Sequence, residues 1–259
     1  MTRRAWWVAA LVVWVGLFVA APAWAQGAGG EQARVKALLD SLDDLFRSTS
    51  SRVVMTMRVK TANYERSMSM ESWSKGKDRS LVRLLTPIKE KGTSTLMSGK
   101  EIYTYLPKTD RTIRISSGMM GGAWMGSHFT NDDLIKSSRL AEDYTYKITF
   151  EGKRGGQDVI EITLIPKEDA AVTWGRIVSV MRAEDKMPVS QSFFDEDGKE
   201  MRRMIFSQIK EIGGRKMPAV LRVEPVDKPG EFTEVIYTEA EFDLDVSDGI
   251  FSLNNLKRN

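Results

Sequence analysis

The chain has 259 residues, with 38 basic and 35 acidic side chains, one His and no Cys. Without Cys there can be no disulfide, thiolate metal site, thiol nucleophile or lipidated cysteine, and a single His excludes a His-rich metal centre. Removing Arg3 and Arg4, which belong to a targeting segment, from the 38 basic residues leaves 36 against 35 acidic. A net charge of +1 on that count offers no basic excess to attract nucleic acid, despite a pI near 9.0.

Arg3 and Arg4 precede an apolar run from Ala5 to Ala21, then Pro22 and Ala23-Trp24-Ala25. A basic flank, an apolar centre and small residues at alternate positions mark a secretory signal peptide, with cleavage expected between Ala25 and Gln26. The apolar run of about 17 residues is short for a membrane span. The expected division is a signal peptide over 1–25 and one domain over 26–259, exported and without a lipid anchor of its own. About 234 residues can bury a large core.

Gly27–Gly30 reads as a flexible leader. From Glu31 to Ser48 the residues Val35, Leu38, Leu39, Leu42, Leu45 and Phe46 recur at helical spacing, so an amphipathic helix with one apolar stripe is expected. At Arg52 the period changes to two. Val53, Met55, Met57 and Val59 alternate with Val54, Thr56, Arg58 and Lys60, and Met68 and Met70 alternate with Ser67, Ser69 and Glu71. Leu81 and Leu85 against Arg83 continue the pattern after a turn at Gly76-Lys77-Asp78. Short strands follow at Thr93–Ser98, Ile102–Leu106 and Arg111–Ile115, at the spacings of β-hairpins.

The stretch Ile113–Leu134 interrupts this order. It holds three Met, one Trp, one Phe, four Gly and the only His, His128, with no charge between Arg114 and Asp132. Thr130 is a good N-cap, with Asp133 as its capping carboxylate, for a short helix through Ser138. Strands then resume at Tyr144–Glu151, Asp158–Ile165, Trp174–Ala183, Pro188–Asp195, Glu200–Ile212, Pro218–Glu224 and Glu231–Phe242. A short apolar piece, Ile250–Leu253, ends the chain. About a dozen alternating strands with few helices predict a mainly β (α+β) fold. Its centre is a single large curved antiparallel sheet, an incomplete barrel, because sheets of that size curl or close.

Catalytic chemistry finds little support. No G-x-S-x-G elbow accompanies His128. Gly92–Lys100 has six residues between its glycines and Glu101 in place of Ser or Thr, so it is no phosphate loop. Asp195-Glu196-Asp197-Gly198 lacks the later ligands of a calcium loop and reads as a hairpin turn. No enzyme activity and no cofactor are expected. The distinctive material is apolar. Met55, Met57, Met68, Met70 and Met97 lie in adjacent strands and can share one face. Met-rich surfaces suit variable apolar partners, whereas cores that specify one packing favour Leu, Ile and Val. In the glycine-rich stretch, Met119, Met120, Trp124, Met125 and Phe129 are expected to gate an apolar cavity. These ten residues are the candidate lipid-binding set.

Leu84–Leu96 (L-L-T-P-I-K-E-K-G-T-S-T-L), the I-Y-T-Y-L-P-K-T-D-R-T-I-R run from Ile102, Met125–Leu134 (M-G-S-H-F-T-N-D-D-L) and Ile250–Leu256 (I-F-S-L-N-N-L) keep a characteristic order and spacing. Together they resemble the outer-membrane lipoprotein-sorting protein family, the LolA-like superfamily, over essentially the whole mature chain. The resemblance implies an open antiparallel barrel with a helical lid over an apolar cavity, working in the periplasm. It further implies a carrier of lipid or lipoprotein acyl chains, loaded by an inner-membrane transporter of ABC or RND type and unloaded at an outer-membrane acceptor. The alternative function is a lipid-sensing accessory protein of such a transporter. The resemblance does not place the arginine that locks the lid in carriers of this type. Edman sequencing of the exported protein is expected to begin at Gln26, and an N-terminus at Met1 would refute the cleavage site.

Overall fold

The computed structural model describes the backbone from Ala23 to Arg258 and the side chains from Gly30 onward. The expected signal peptide lies outside the described residues up to position 22, and the expected cleavage point falls within helix α1 (Ala23–Phe46). That helix begins earlier than Glu31. It ends at Phe46, two residues before Ser48, which takes a left-handed φ of 55°.

Thirteen strands form one antiparallel sheet. β1 (Ser50–Lys60), β2 (Glu65–Lys75), β3 (Arg79–Thr86), β4 (Ser94–Ser98), β5 (Glu101–Leu106) and β6 (Arg111–Arg114) make one meander. A second consists of β7 (Tyr144–Arg154), β8 (Gln157–Pro166), β9 (Arg176–Arg182), β10 (Pro188–Phe194), β11 (Glu200–Ile212), β12 (Arg215–Pro225) and β13 (Phe232–Phe242). The spatial order is β6-β5-β4-β3-β2-β1-β13-β12-β11-β10-β9-β8-β7, so the first strand pairs with the last and the meanders fuse into one curved sheet. Bulges at Val54/Met55 in β1 and Ile148/Phe150 in β7 strengthen the local bend. At the β11–β12 hairpin only glycine fits, since Gly213 has a φ of 60° and a Cβ there would overlap the Ala240 carbonyl.

β6 and β7 are consecutive in sequence yet form the two edges, so the sheet stays open and residues 115–143 have to cross the gap. That segment carries α2 (Asn131–Lys136) and α3 (Leu140–Asp143), the second of which the sequence pattern does not announce. α2 starts as expected: Thr130 accepts from the Asp133 backbone N–H, and the Asp133 carboxylate accepts from the Thr130 N–H. Helix α1 crosses the concave face. Val35, Leu38 and Leu39 pack on Tyr144, Ile160, Ile162, Leu164 and Ile177 of the second meander. At its other end Leu45 and Phe46 reach Val53, Met217 and Ala240. The apolar stripe read from the sequence is the surface used. The edge of β7 is covered too, because Gln32 donates to the Tyr146 carbonyl (3.1 Å) and Glu31 accepts from the Ile148 N–H (3.4 Å).

The C-terminal apolar piece is no strand. It is a 3₁₀ turn over Asp248–Phe251 followed by α4 (Leu253–Leu256), and Val246, Phe251 and Leu256 cover Leu81, Leu96 and Tyr105 on the convex side. β3 is therefore buried on both faces: Leu81 points outward to this segment, while Val82 and Leu84 point into the concave core. Leu84, rather than Leu85, completes the inner pattern, because successive residues face opposite sides. Leu164→Ala, at a fully buried position of the second meander, should lower unfolding stability by about 2–5 kcal/mol in urea. Ile113→Ala on the exposed edge strand should change it by about 0.5 kcal/mol or less.

Candidate functional site

Between the concave face and the helices lies a cavity of about 290 Å³. Val53 and Met55 of β1, Val82 of β3, Ile177 of β9, Phe193 of β10, Met204 and Phe206 of β11, Leu221 of β12 and Val235 and Tyr237 of β13 form its wall. Leu39, Leu42 and Phe46 of α1 and Trp124, Phe129, Leu134, Leu140 and Ala141 of the crossing segment form its roof. Strand alternation places the wall residues on one face, and the helical stripe supplies much of the roof. The volume is at the small end of the range for ligand sites, and the apolar wall and roof are joined by serines and by charged side chains such as Asp40, Arg47 and Lys77. Burial pushes the Tyr237 phenol up to about 12, so it stays a neutral part of the wall.

The roof is fastened at named points. Arg202 of β11 is only 5% exposed and forks onto Asp133 of α2, with Nη1 to Oδ2 at 2.7 Å and Nη2 to Oδ1 at 2.5 Å. The same Nη1 donates to the His128 carbonyl at 3.1 Å. Trp174 and Phe193 flank the guanidinium at 4.6 and 4.4 Å, and its Nε has no hydrogen-bond partner among the described residues. His128 clamps the preceding loop: its backbone N–H donates to Thr233 Oγ1, its Nδ1 lies 2.9 Å from that hydroxyl, and its Nε2 lies 3.1 Å from Glu231. Glu231, held also by the Ala62 N–H, stays below the usual carboxylate range. Tyr64 donates to the Gly126 carbonyl, and Trp124 Nε1 donates to Thr95 Oγ1 at 3.1 Å. At the far end of α2, Ser138 donates to the Lys77 carbonyl at 3.0 Å.

The ten candidate residues divide into four groups. Met55, Trp124 and Phe129 line the cavity. Met57, Met68 and Met70 are fully buried beside Trp124 in the packed layer next to it, with Met125 against them. Met97 shares their concave face but packs with Ile102, Ile135 and Met120 near the sheet edge. Met119 is 44% exposed and lies outside the buried clusters. Trp124 is thus as much core as roof. Among the described residues no cluster of three or more His, Asp or Glu is placed to hold a metal ion.

Arg202 and Asp133 do not figure in the sequence-derived set, although a signal exists. Arg202, Met204 and Phe206 share one strand phase, so an arginine had to face the apolar side and needed a buried partner. The partner, read from sequence as a capping carboxylate, serves both roles.

A family model described as uncharacterized protein-like matches residues 76–258. Many solved structures share the fold, and three of them are similar over most of both chains. A DUF1329 family protein of Desulfovibrio piger is 22% identical, with a TM-score of 0.78 over 87% of this chain and 99% of its own. An outer membrane lipoprotein-sorting protein domain of Vibrio parahaemolyticus is 24% identical, with a TM-score of 0.74 over 88% and 97%. A LolA superfamily protein of Nitrosomonas europaea is 20% identical, with a TM-score of 0.72 over 85% and 98%. Comparison with curated proteins gives no match. Asp133→Asn should destabilise the fold by about 3–5 kcal/mol by leaving the Arg202 charge buried without its partner. The double variant Arg202→Met/Asp133→Leu should recover most of that loss in urea denaturation.

Proposed function

We propose that this chain, which belongs to the family whose model matches residues 76–258 and shares the fold of an outer membrane lipoprotein-sorting protein domain and a LolA superfamily protein, is a periplasmic carrier of lipid or lipoprotein acyl chains. The observation that supports it most is the apolar cavity closed by a segment that bridges the two sheet edges. Burying a methylene is worth about 0.8 kcal/mol, so a 16-carbon chain gains on the order of 12 kcal/mol gross, before the cost of ordering it. Such binding needs no directional chemistry. Of the ten Met, Trp and Phe residues, Met55, Trp124 and Phe129 touch the cargo in this reading, and Met57, Met68, Met70 and Met125 behind them let the wall adapt.

Release is the harder step. α2 is held by one buried ion pair, a few hydrogen bonds and little apolar area, which fits a roof that lifts as a unit while the thirteen-stranded wall stays put. In this reading Arg202 plays the part of the lid-locking arginine. An inner-membrane transporter of ABC or RND type would load the open form, and an outer-membrane acceptor would receive the cargo.

Protein purified from cells should yield extractable acyl lipid by mass spectrometry, and the empty protein should take lipid from donor vesicles and deliver it to acceptor vesicles. Protein that emerges empty and takes up no lipid would overturn the reading, while uptake without delivery would favour a sensing role. Met55→Trp, which fills the cavity from the β1 wall, should reduce lipid uptake at least tenfold at a stability cost of about 1–3 kcal/mol.

A further inference from the structure

The cavity is not apolar throughout. Along β1, β2 and β3 three serines stand directly opposite one another in register: Ser51 pairs with Ser74, and Ser74 with Ser80. Ser72 lies two residues from Ser74 on the same face, opposite Val53. All four line the cavity. Elsewhere that face carries Val53, Met55, Met70, Val82 and Leu84, so a patch of hydroxyls interrupts a wall of aliphatic and thioether side chains. Ser51 and Ser74 bond to each other at 2.7 Å, with both residues buried. The Ser72 and Ser80 hydroxyls, in contrast, have no hydrogen-bond partner among the described residues.

Beyond this patch the lining turns charged, with Asp40, Asp43, Arg47, Lys77 and Lys136 all partly open to solvent. Each cation there already has a carboxylate: Lys77 sits 3.1 Å from Asp40, Arg47 3.3 Å from Asp43 and Lys136 3.7 Å from Asp143. The Trp124–Phe129 end of the cavity, closed by the Arg202–Asp133 pair, lies at the other end of α2 from the Ser138–Lys77 contact. From the closed end to the rim, the lining therefore runs apolar, hydroxylic and then charge-balanced.

Resting on the carrier reading, we propose that the Ser51–Ser72–Ser74–Ser80 patch binds the ester carbonyls of a diacylglyceryl group, the linkage shared by glycerophospholipids and diacylated lipoproteins. The acyl chains then lie along the apolar wall, and the head group leaves through the rim. Half-buried hydroxyls that hold no protein partner beside an apolar wall suit uncharged acceptors, and ester carbonyls are the acceptors that follow directly on an acyl chain. A free fatty acid fits less well, because its carboxylate would need an uncompensated cation and each rim cation is already paired.

The test compares ligands that differ only at that linkage, using the full mature chain. The probes are dipalmitoyl phosphatidylethanolamine and its dihexadecyl ether counterpart, a dipalmitoyl lipopeptide and its diether counterpart, and palmitate. One or two added neutral hydrogen bonds should make the ester member of a pair bind about tenfold more tightly than its ether, with palmitate weaker than either ester. In Ser72→Ala/Ser80→Ala, whose side chains hold no internal hydrogen bond, that preference should fall to near unity. Preference in the phospholipid pair or in the lipopeptide pair supports the site and identifies the source of the group. Equal binding of ester and ether by the unmodified protein overturns the proposal, as does a preference that survives both substitutions. Those outcomes leave lipid carriage intact, whereas failure of every probe to bind removes the carrier reading itself. The comparison on the unmodified chain needs no variant to fold.

Discussion

The pairing of the first strand with the last is the constraint on which the molecule depends. Because β1 hydrogen-bonds to β13 from Ser51–Phe242 to Lys60–Phe232, the middle of the sheet is built from the two ends of the strand series. Its two edges then belong to β6 and β7, which are neighbours in the chain. Left open, the sheet requires the connecting segment to span the gap, and cover and cavity arise together from that requirement. Helix α1 supplies the remaining cover, and its side chains satisfy part of the β7 edge that would otherwise present unpaired backbone groups.

The fastening of the cover follows from its shape. α2 has six residues and cannot bury enough apolar surface to hold itself down. It depends instead on a charge pair buried between Trp174 and Phe193. Such a pair adds little net stability over an apolar substitute, yet it is costly to break by halves. The closed arrangement is thereby specified without being made excessively stable, which suits a cover that has to open. His128, the residue that first invites a catalytic reading, has both ring nitrogens beside Thr233 and Glu231 and belongs to the same fastening.

The methionines show how far a pattern of twos can reach. Alternation places Met55, Met57, Met68 and Met70 on one face, and the register confirms it, with Met55 opposite Met70 and Met57 opposite Met68. Only Met55 meets open space, because Trp124 descends onto the other three. Facing inward is a local property of a strand. Facing a void depends on what stands above, which is fixed by a segment seventy residues away in sequence.

The sequence by itself determined about a dozen strands to within a few residues at most boundaries, the apolar stripe of α1, the Thr130–Asp133 capping box and the resemblance to lipoprotein-sorting proteins. Those features rest on short-range periodicity and steric preference, and a single chain carries both. The extra turns of α1, the helix α3, the C-terminal turn over the convex side, the Arg202–Asp133 pair and the serine patch came only with the tertiary structure. The ion pair and the serine patch depend on residues far apart in the chain meeting across strands or across the cavity. Arg202 and Asp133 are separated by 69 positions and Ser51 and Ser74 by 23, and no local pattern encodes which distant partner a buried polar group will find.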